Sequence, residues 1–310
     1  MSTATQPLVV PRSGVLTLVR DYTELTKLRV TTLIIMTAWC GYYFGALKSG
    51  VSSLSWSLFH TLLGIGLVSG GAAALNEVME WDTDSRMRRT AQRPIPAGRF
   101  GFVHATLVGV LMTLGGALYL GLALNPLTAW LALATSAVYL GAYTPLKKVH
   151  PICTFVGAFP GAMPGVLGWT AARGRFEWGA LVMFAIVFFW QFPHFYSIAW
   201  LYRQDYDDGG VRMLPVVEPD GKSTGRQILL YSVALIPISL LPAFLGMSGK
   251  LYLAGALVLG ILLLYFGWRL ASLNIATGNA RSKQRARQLL QATVLYLPLL
   301  FALMMLNTKS

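Results

Sequence analysis

The chain has 310 residues, of which 55% are hydrophobic and only 12% are charged. That charged fraction is about half of what an ordinary soluble domain carries, which argues against a soluble enzyme or scaffold. The net charge of +13 does not predict nucleic-acid binding. In a membrane protein, basic residues set topology and attract anionic lipid head groups, so membrane lipids are the predicted partner.

Apolar windows of about 20 residues, the length of a membrane-spanning helix, recur along the chain. We predict nine transmembrane helices at about 30–47, 54–75, 103–123, 127–145, 152–171, 178–200, 227–247, 251–271 and 288–306. The sequence therefore predicts an all-α polytopic membrane protein. Its one membrane domain covers 30–306, after a cytoplasmic N-terminal segment (1–29) and before a short outer tail (307–310).

The distribution of charge predicts a cytoplasmic N-terminus. With that orientation, only five of the 25 basic residues lie on the outer side: Lys48, Arg173, Arg175, Lys250 and Lys309. Eleven of the twelve acidic residues also lie inside, Glu177 being the exception. Acidic residues play no part in the positive-inside rule, so their enrichment indicates a working face on the cytoplasmic side. The brief N-terminal segment favours a bacterial plasma (inner) membrane over an organelle.

The inner loop after the second predicted span is the most informative segment. Four acidic residues fall within eight positions there, at 77, 80, 82 and 84. Extended as helix, Asn76, Glu80 and Asp84 share one face at i, i+4 and i+8. One or two carboxylates together with substrate phosphates are the usual ligands of Mg²⁺. We therefore predict a Mg²⁺ site at the cytoplasmic end of this span.

Arginines follow the acidic residues directly. Arg86, Arg89 and Arg93 are suited to bind a diphosphate through paired N–H donors. Pro94 and Pro96 are predicted to end the helix, since each lacks a backbone donor. The alternative is an amphipathic inner loop whose charges pair in water, but four acidic residues this close to the bilayer repel one another unless a cation joins them.

A second inner loop, 201–226, adds acidic residues on the same side. Asp205, Asp207 and Asp208 precede Gly209 and Gly210. Two carboxylate groups around a metal-bridged diphosphate would assist the ionisation of an allylic diphosphate, because the metal neutralises the leaving group. Alternatively, this segment is a solvated turn.

His194 follows Pro193 within an aromatic run at the end of the sixth predicted span. An ionisable residue at membrane depth favours a function, here metal ligation or polarisation of a substrate. The alternative is a packed histidine that bonds a carbonyl freed by Pro193.

These residues resemble the intramembrane UbiA-type prenyltransferase superfamily, and within it the haem O synthase (protohaem IX farnesyltransferase) branch. The superfamily motif Asn-x3-Asp-x3-Asp is met by Asn76, Glu80 and Asp84, with Glu in the middle place. Further stretches in family order are Met87-x-Arg89-Thr90-x-x-Arg93-Pro94, Tyr143-Thr144-Pro-Leu-Lys147-Lys148, Gly161-Ala-Met-Pro164, Pro193-His194-Phe195 and Asp205-Tyr206 through Pro215. One departure is Gln204, where the family often has the first of two adjacent acidic residues.

The resemblance implies nine helices around a lipid-open central cavity. It implies farnesyl transfer from farnesyl diphosphate to a vinyl group of haem B, giving haem O and diphosphate, with Mg²⁺ as cofactor. The implied partners include a downstream haem A synthase or haem-copper oxidase. Carried over onto this chain, the implied metal and catalytic residues are Asn76, Glu80, Asp84, Asp205 and Asp208. The implied diphosphate ligands are Arg86, Arg89, Arg93, Lys147 and Lys148, and the implied haem contacts are Tyr143 and His194.

Two other functions share parts of this pattern. An aromatic prenyltransferase for 4-hydroxybenzoate or quinone-type acceptors would keep the diphosphate half of the site. A transporter would also use broken helices, but its polar residues gather at the bilayer midplane and not at one face.

Overall fold

The structure is a computed structural model that describes residues 14–50, 52–273 and 278–308. These residues fold as helices, with a single isolated bridge between Ser248 and Thr308. In chain order the helices are α1 (Val15–Leu25), α2 (Leu28–Lys48), α3 (Trp56–Arg86), α4 (Phe102–Ala123), α5 (Pro126–Ala137), a π-helical stretch (Val138–Tyr143), α6 (Thr144–Leu146), α7 (Cys153–Arg173), α8 (Trp178–Leu201), α9 (Arg203–Asp208), α10 (Leu214–Val217), α11 (Lys222–Phe244), α12 (Lys250–Ala271) and α13 (Ala280–Leu306).

Eight helical segments in the described ranges are long and apolar enough to cross a membrane. They are α2, α3, α4, α5 through α6, α8, α11, α12 and α13. The all-helical, multi-pass architecture predicted from the sequence is therefore confirmed. The remaining predicted span, 152–171, corresponds to α7, which is 21 residues long but is diluted by glycine and proline. The count of nine spans, the cytoplasmic N-terminus and the domain limits stay predictions; residues 1–13 and 309–310 lie outside the described ranges.

Helix α7 is buried between α2 and α8. Pro160 and Pro164 lie inside it without interrupting it. Its glycines let backbones touch: a Cβ added at Gly168 would clash with the Ala38 carbonyl of α2, and one at Gly41 with the Gly165 carbonyl of α7. Close approach through small residues is how membrane helices associate without a hydrophobic driving force between them.

Helix α3 carries the first predicted site. Ser55 caps its N-terminus by accepting a hydrogen bond from the Leu58 N–H. Its 31 residues extend about 46 Å at 1.5 Å per residue, well beyond a hydrocarbon core of about 30 Å. The helix ends at Arg86 and Met87 is extended, so the prediction that it runs to Pro94 is wrong. The Thr90 hydroxyl donates to the Asp84 carbonyl at the helix end and starts the turns that follow.

The second inner loop folds back onto the first. The Arg212 N–H donates to the Lys147 carbonyl (2.8 Å), which ties the loop to the end of α6. Gly209 packs so closely on Met87 that a Cβ there would meet the Met87 side chain. Both loops therefore lie at one end of the helix bundle.

Candidate active site

A cavity of about 200 Å³ lies where α3, α6 and α8 end and the two loops meet. Its wall combines charges of both signs with aromatic and apolar side chains. The charged members are Lys27, Glu80, Asp84, Arg89, Arg93 and Lys147. Four cations thus face two carboxylates, and a cavity with an excess of positive charge attracts anions.

Glu80 is 7% exposed and pairs with Lys147. The Lys147 Nζ lies 2.8 Å and 3.1 Å from the two carboxylate oxygens, and 4.5 Å from the centre of the Tyr143 ring. Burial disfavours the charged amine, but Glu80 more than offsets this, so the pKa of Lys147 is raised above its usual value. Glu80 and Lys147 were both predicted as site residues, and the structure brings them together.

Asp84 lies one helical turn beyond Glu80 and is 1% exposed. Its Oδ2 accepts a hydrogen bond from the Arg93 guanidinium. A buried carboxylate with a charged donor is stable only while the pair is intact, because either partner alone would be a buried unpaired charge. Asp84 and Arg93, which were predicted separately as site residues, thus pair with each other and form the second charged wall of the cavity.

Asn76 is completely buried one turn before Glu80 and does not line the cavity. Its Oδ1 accepts a hydrogen bond from the Lys27 amine (2.6 Å), and its Nδ2 donates to the Thr144 hydroxyl (2.9 Å). The predicted stripe on α3 therefore exists, but its first member faces Lys27 and Thr144.

Lys27 is the cavity cation that the sequence analysis missed. It joins α1 to α2 with φ of 48°, the only positive value at a non-glycine residue among those described. That left-handed conformation is unfavourable for a side chain of this size, and such conformations concentrate at functional sites. Burial, and then the neighbouring Arg93, lower the pKa of Lys27 to about 7. From the sequence alone, Lys27 resembles the other basic residues at the ends of membrane spans, which set the orientation of the protein in the membrane.

Arg89 is held by aromatic rings from the second loop. Its guanidinium carbon lies 5.6 Å from the centre of the Tyr202 ring and 5.8 Å from that of Tyr206. Tyr206 also lines the cavity, although the sequence analysis did not select it. A cation over an aromatic face is attracted to the ring, so Tyr202 and Tyr206 position the Arg89 guanidinium at the cavity wall.

The acidic residues of the second loop do not reach this cavity. Asp205 is half-buried on α9 and is not part of the wall. Asp208 is exposed and accepts a hydrogen bond from the Gln204 amide (3.0 Å). The predicted meeting of two carboxylate groups is thus not seen, and their metal-binding role stays a prediction.

Three further predicted residues lie away from the cavity wall. Arg86 is exposed and pairs with Asp82, and Lys148 is exposed. His194 shares a 2.9 Å hydrogen bond with the Thr293 hydroxyl and stacks on Trp190. This is the packed arrangement expected of a structural histidine, although its partner is a hydroxyl and not a carbonyl freed by Pro193.

The donor set can be tested against Mg²⁺. No three acidic, histidine or cysteine side chains of the described ranges converge as a complete metal group. Glu80 and Asp84 nevertheless fit the ion, because Mg²⁺ commonly takes one or two carboxylates and completes its shell with substrate phosphates and water. The surrounding cations suit those phosphates.

Residues 33–290 match the UbiA prenyltransferase family. The chain belongs to this family. A protein of Koribacter versatilis (strain Ellin345) named protoheme IX farnesyltransferase is 62% identical over 307 residues, which cover 99% of both chains. A protein of the same name from Solibacter usitatus (strain Ellin6076) is 49% identical and covers 93% of this chain and 98% of its own length. The predicted resemblance to the UbiA prenyltransferases and their protohaem IX farnesyltransferase branch is confirmed.

Solved UbiA-type structures share the fold. A digeranylgeranylglyceryl phosphate synthase has a TM-score of 0.74 at 16% identity, covering 93% of this chain and 98% of that one. A UbiA homologue from Archaeoglobus fulgidus, bound to GPP and Mg²⁺, has a TM-score of 0.60 at 15% identity, covering 92% and 99%. The UbiA membrane fold is thus confirmed for this chain.

Proposed function

We propose that this UbiA-family prenyltransferase is a Mg²⁺-dependent protohaem IX farnesyltransferase. It would join the farnesyl group of farnesyl diphosphate to a vinyl group of haem B, with release of diphosphate. The observation that carries the proposal is the charged cavity, where two buried carboxylates and four cations meet at one end of an apolar bundle. The acceptor and donor are taken from the relatives that share this name over nearly the whole chain.

The cavity ion pairs suggest how the diphosphate binds. Lys147 and Arg93 neutralise Glu80 and Asp84 in the structure. Glu80 and Asp84 would hold Mg²⁺, and Lys147 and Arg93 would then pair with diphosphate oxygens. After this exchange both carboxylates and both cations would again have partners of opposite charge, so none would be a buried unpaired charge. Supporting this role for the metal, a UbiA homologue of the same fold binds GPP together with Mg²⁺.

Lys27 and Arg89 add two further donors to the diphosphate. In the free protein the Asn76 amide holds Lys27 in place at 2.6 Å. We propose that Asn76 keeps this position during catalysis. Once Lys27 turned to the diphosphate, the Asn76 amide oxygen would be available as a metal ligand. Asp205 does not line the cavity, and we assign it a weaker, indirect role beside the same metal cluster.

The chemistry then follows from the charges. Mg²⁺ held there would supply charge neutralisation of the diphosphate leaving group. The C–O bond at the allylic carbon breaks, and its electron pair leaves with the diphosphate under Arg93 and Lys147. The vinyl π electrons of haem B form the new C–C bond, and a water molecule adds to the resulting cation and loses a proton. The product is the hydroxyethylfarnesyl group of haem O.

The site also supports a location. The chain is a multi-pass membrane protein, and its cavity lies at the end where the basic residues gather. By the positive-inside rule we propose that this end is cytoplasmic, in a bacterial inner membrane. A downstream haem A synthase or haem-copper oxidase would then receive the product from the same bilayer.

One competition experiment tests the donor, the metal and the acceptor together. Purified protein in detergent receives haem B, 4-hydroxybenzoate, farnesyl diphosphate and Mg²⁺, and mass spectrometry identifies the products. We expect a haem adduct with the mass of the hydroxyethylfarnesyl group, absent without Mg²⁺ and absent in Glu80→Ala/Asp84→Ala. A 4-hydroxybenzoate adduct instead would keep the site and replace the acceptor. Intact farnesyl diphosphate with neither adduct would contradict a prenyltransferase and return the transporter alternative.

A further inference from the structure

A second, larger recess lies beside the charged cavity, between the end of α8 and the first half of α13. We call it the α8–α13 groove; its volume is about 710 Å³. Leu201 and Tyr202 form one wall. Along α13, Lys283 and Arg287 line its polar end, and Leu290, Val294 and Leu295 are among the residues of its apolar end.

The polar end of the groove is built for an anion. Lys283 and Arg287 are four residues apart on α13, so they lie on one face about 5–6 Å apart at their Cβ atoms. Both are exposed, and no acidic side chain lines the groove. Two neighbouring cations without a counter-charge favour a ligand with two carboxylates or a phosphate.

The groove adjoins the diphosphate cavity through Tyr202. This side chain lines the groove, and its ring lies 5.6 Å from the guanidinium carbon of Arg89, which lines the cavity. On α8, Ile198 lines the cavity and Leu201, one turn later, lines the groove. A ligand in the groove would thus lie next to a diphosphate in the cavity, with the Tyr202–Arg89 pair between them.

The charged cavity and the α8–α13 groove differ in the size of ligand that they can hold. The cavity, at about 200 Å³, accommodates a diphosphate and a metal ion but not a macrocycle. Sites for ligands of drug size and above occupy about 300–1,000 Å³, which includes the groove. A prenyl acceptor with a flat apolar body and charged carboxylates at one edge matches the groove in volume, polarity and position.

We propose that the α8–α13 groove binds the tetrapyrrole acceptor. Its two propionate carboxylates pair with Lys283 and Arg287, and its macrocycle lies along Leu290, Val294 and Leu295. This proposal rests on the proposed function, because it takes the acceptor to be a tetrapyrrole. It adds the place where the acceptor binds and the residues that select its carboxylates.

The test is the variant Lys283→Gln/Arg287→Gln, with Arg281→Gln as a control on the same helix outside the groove. We expect the KM for haem B to rise at least about tenfold and the KM for farnesyl diphosphate to change less than twofold. Haem B dimethyl ester, which lacks the carboxylate charges, should reduce the difference between the double variant and the wild type to less than threefold. Quenching of tryptophan fluorescence by haem B, without farnesyl diphosphate, should show the same loss of affinity.

Three other results would overturn either the groove proposal or the proposed function. An unchanged KM and unchanged quenching, in a wild type that makes the haem adduct, would overturn the groove while keeping the proposed function. A wild type that makes no haem adduct would overturn the proposed function itself. If activity fell for both substrates alike and tracked the phosphatidylglycerol content of the vesicles, the groove would be a lipid head-group site. Arg287→Gln alone serves where the double variant unfolds.

Discussion

The two inner loops carry similar acidic clusters but place them in different surroundings. Glu80 and Asp84 of the first loop are 7% and 1% exposed and paired with cations. In the second loop Asp205 is half-buried and Asp208 is exposed. The first pair lies on the end of a 31-residue helix inside the bundle, whereas the second lies on a six-residue helix at its surface.

The supporting element, and not the density of acidic residues, therefore decides what a cluster can do. A long helix holds its carboxylates at fixed positions one turn apart, which a metal site requires. The second loop instead contributes two uncharged side chains, Tyr206 and Met213, to the cavity wall. The two loops are therefore complementary parts of one site.

Substitutions in the first acidic cluster should reduce activity most. Asp84→Asn should lower kcat about 1000-fold, because it removes a carboxylate from the proposed metal site and leaves Arg93 without its partner. Diphosphate release with haem B and farnesyl diphosphate measures it. Asp82→Asn, on the exposed face of the same helix, should stay within twofold of the wild type. Equal losses in both variants would show that general helix charge and not the cavity matters.

Lys27→Met should have the next largest effect. We expect the KM for farnesyl diphosphate to rise roughly 10- to 100-fold, since a charge-assisted contact to a phosphate is lost. Arg29→Met, an exposed neighbour on α2, is the matched control and should change the KM less than twofold. If the two variants behave alike, Lys27 is a topology residue and not a diphosphate ligand.

The second loop should respond more weakly. We expect Asp205→Asn to lower kcat about tenfold and Asp208→Asn less than threefold, because neither side chain lines the cavity. Steady-state kinetics over a range of Mg²⁺ concentrations compares them with Asp84→Asn. A loss of 1000-fold in Asp205→Asn would make the two loops equivalent and would require the second loop to close onto the metal.

The ion-pair cluster around Glu177, at the opposite end of α8 from the cavity, provides a reference site. Hydrogen bonds from Arg173 and Trp169, with Lys48 nearby, lower the pKa of Glu177 from 4.5 to about 2. Glu177→Gln should leave activity within twofold and lower stability at pH 7 by about 1–3 kcal/mol. Since the folded-state pKa is depressed, this stabilisation is complete above pH 4.5 and lost as the pH falls toward 2. Thermal unfolding of both proteins across that range should show their difference shrinking; a constant difference would contradict the ionic origin.

Apolar windows located the membrane helices well because burial in lipid requires long uninterrupted hydrophobic runs. The window 103–123 corresponds to Phe102–Ala123, and 251–271 to Lys250–Ala271. The ends of the helices were predicted less well than their positions. The window 288–306 misses the basic first turns of α13, which begins at Ala280. The end of α3 at Arg86 depends on a tertiary turn, which a proline count cannot locate.

The site was predictable where several charges were adjacent in sequence. Glu80, Asp84 and Arg93 follow from the pattern of the first loop, and Lys147 from the family resemblance. Lys27 and Tyr206 were missed because each enters the cavity through folding, Lys27 at a left-handed helix junction and Tyr206 on a loop that folds back. Asp208 and Arg86 show the reverse case: their residue types suit the predicted roles, but both side chains are exposed and lie outside the cavity wall, so these roles stay predictions.

The π-helical stretch Val138–Tyr143 sets the direction in which the Lys147 side chain points. One extra residue per turn rotates everything after it by about 100° relative to an α-helix. Deleting Gly141, where an added Cβ would meet nothing within 4 Å, would convert the stretch to a regular turn and swing Lys147 away from Glu80. The direction of the Lys147 side chain is thus set by the number of residues in the preceding helix and not by a residue type. A family member without the extra residue would need its cation at a shifted alignment position to reach the same carboxylate.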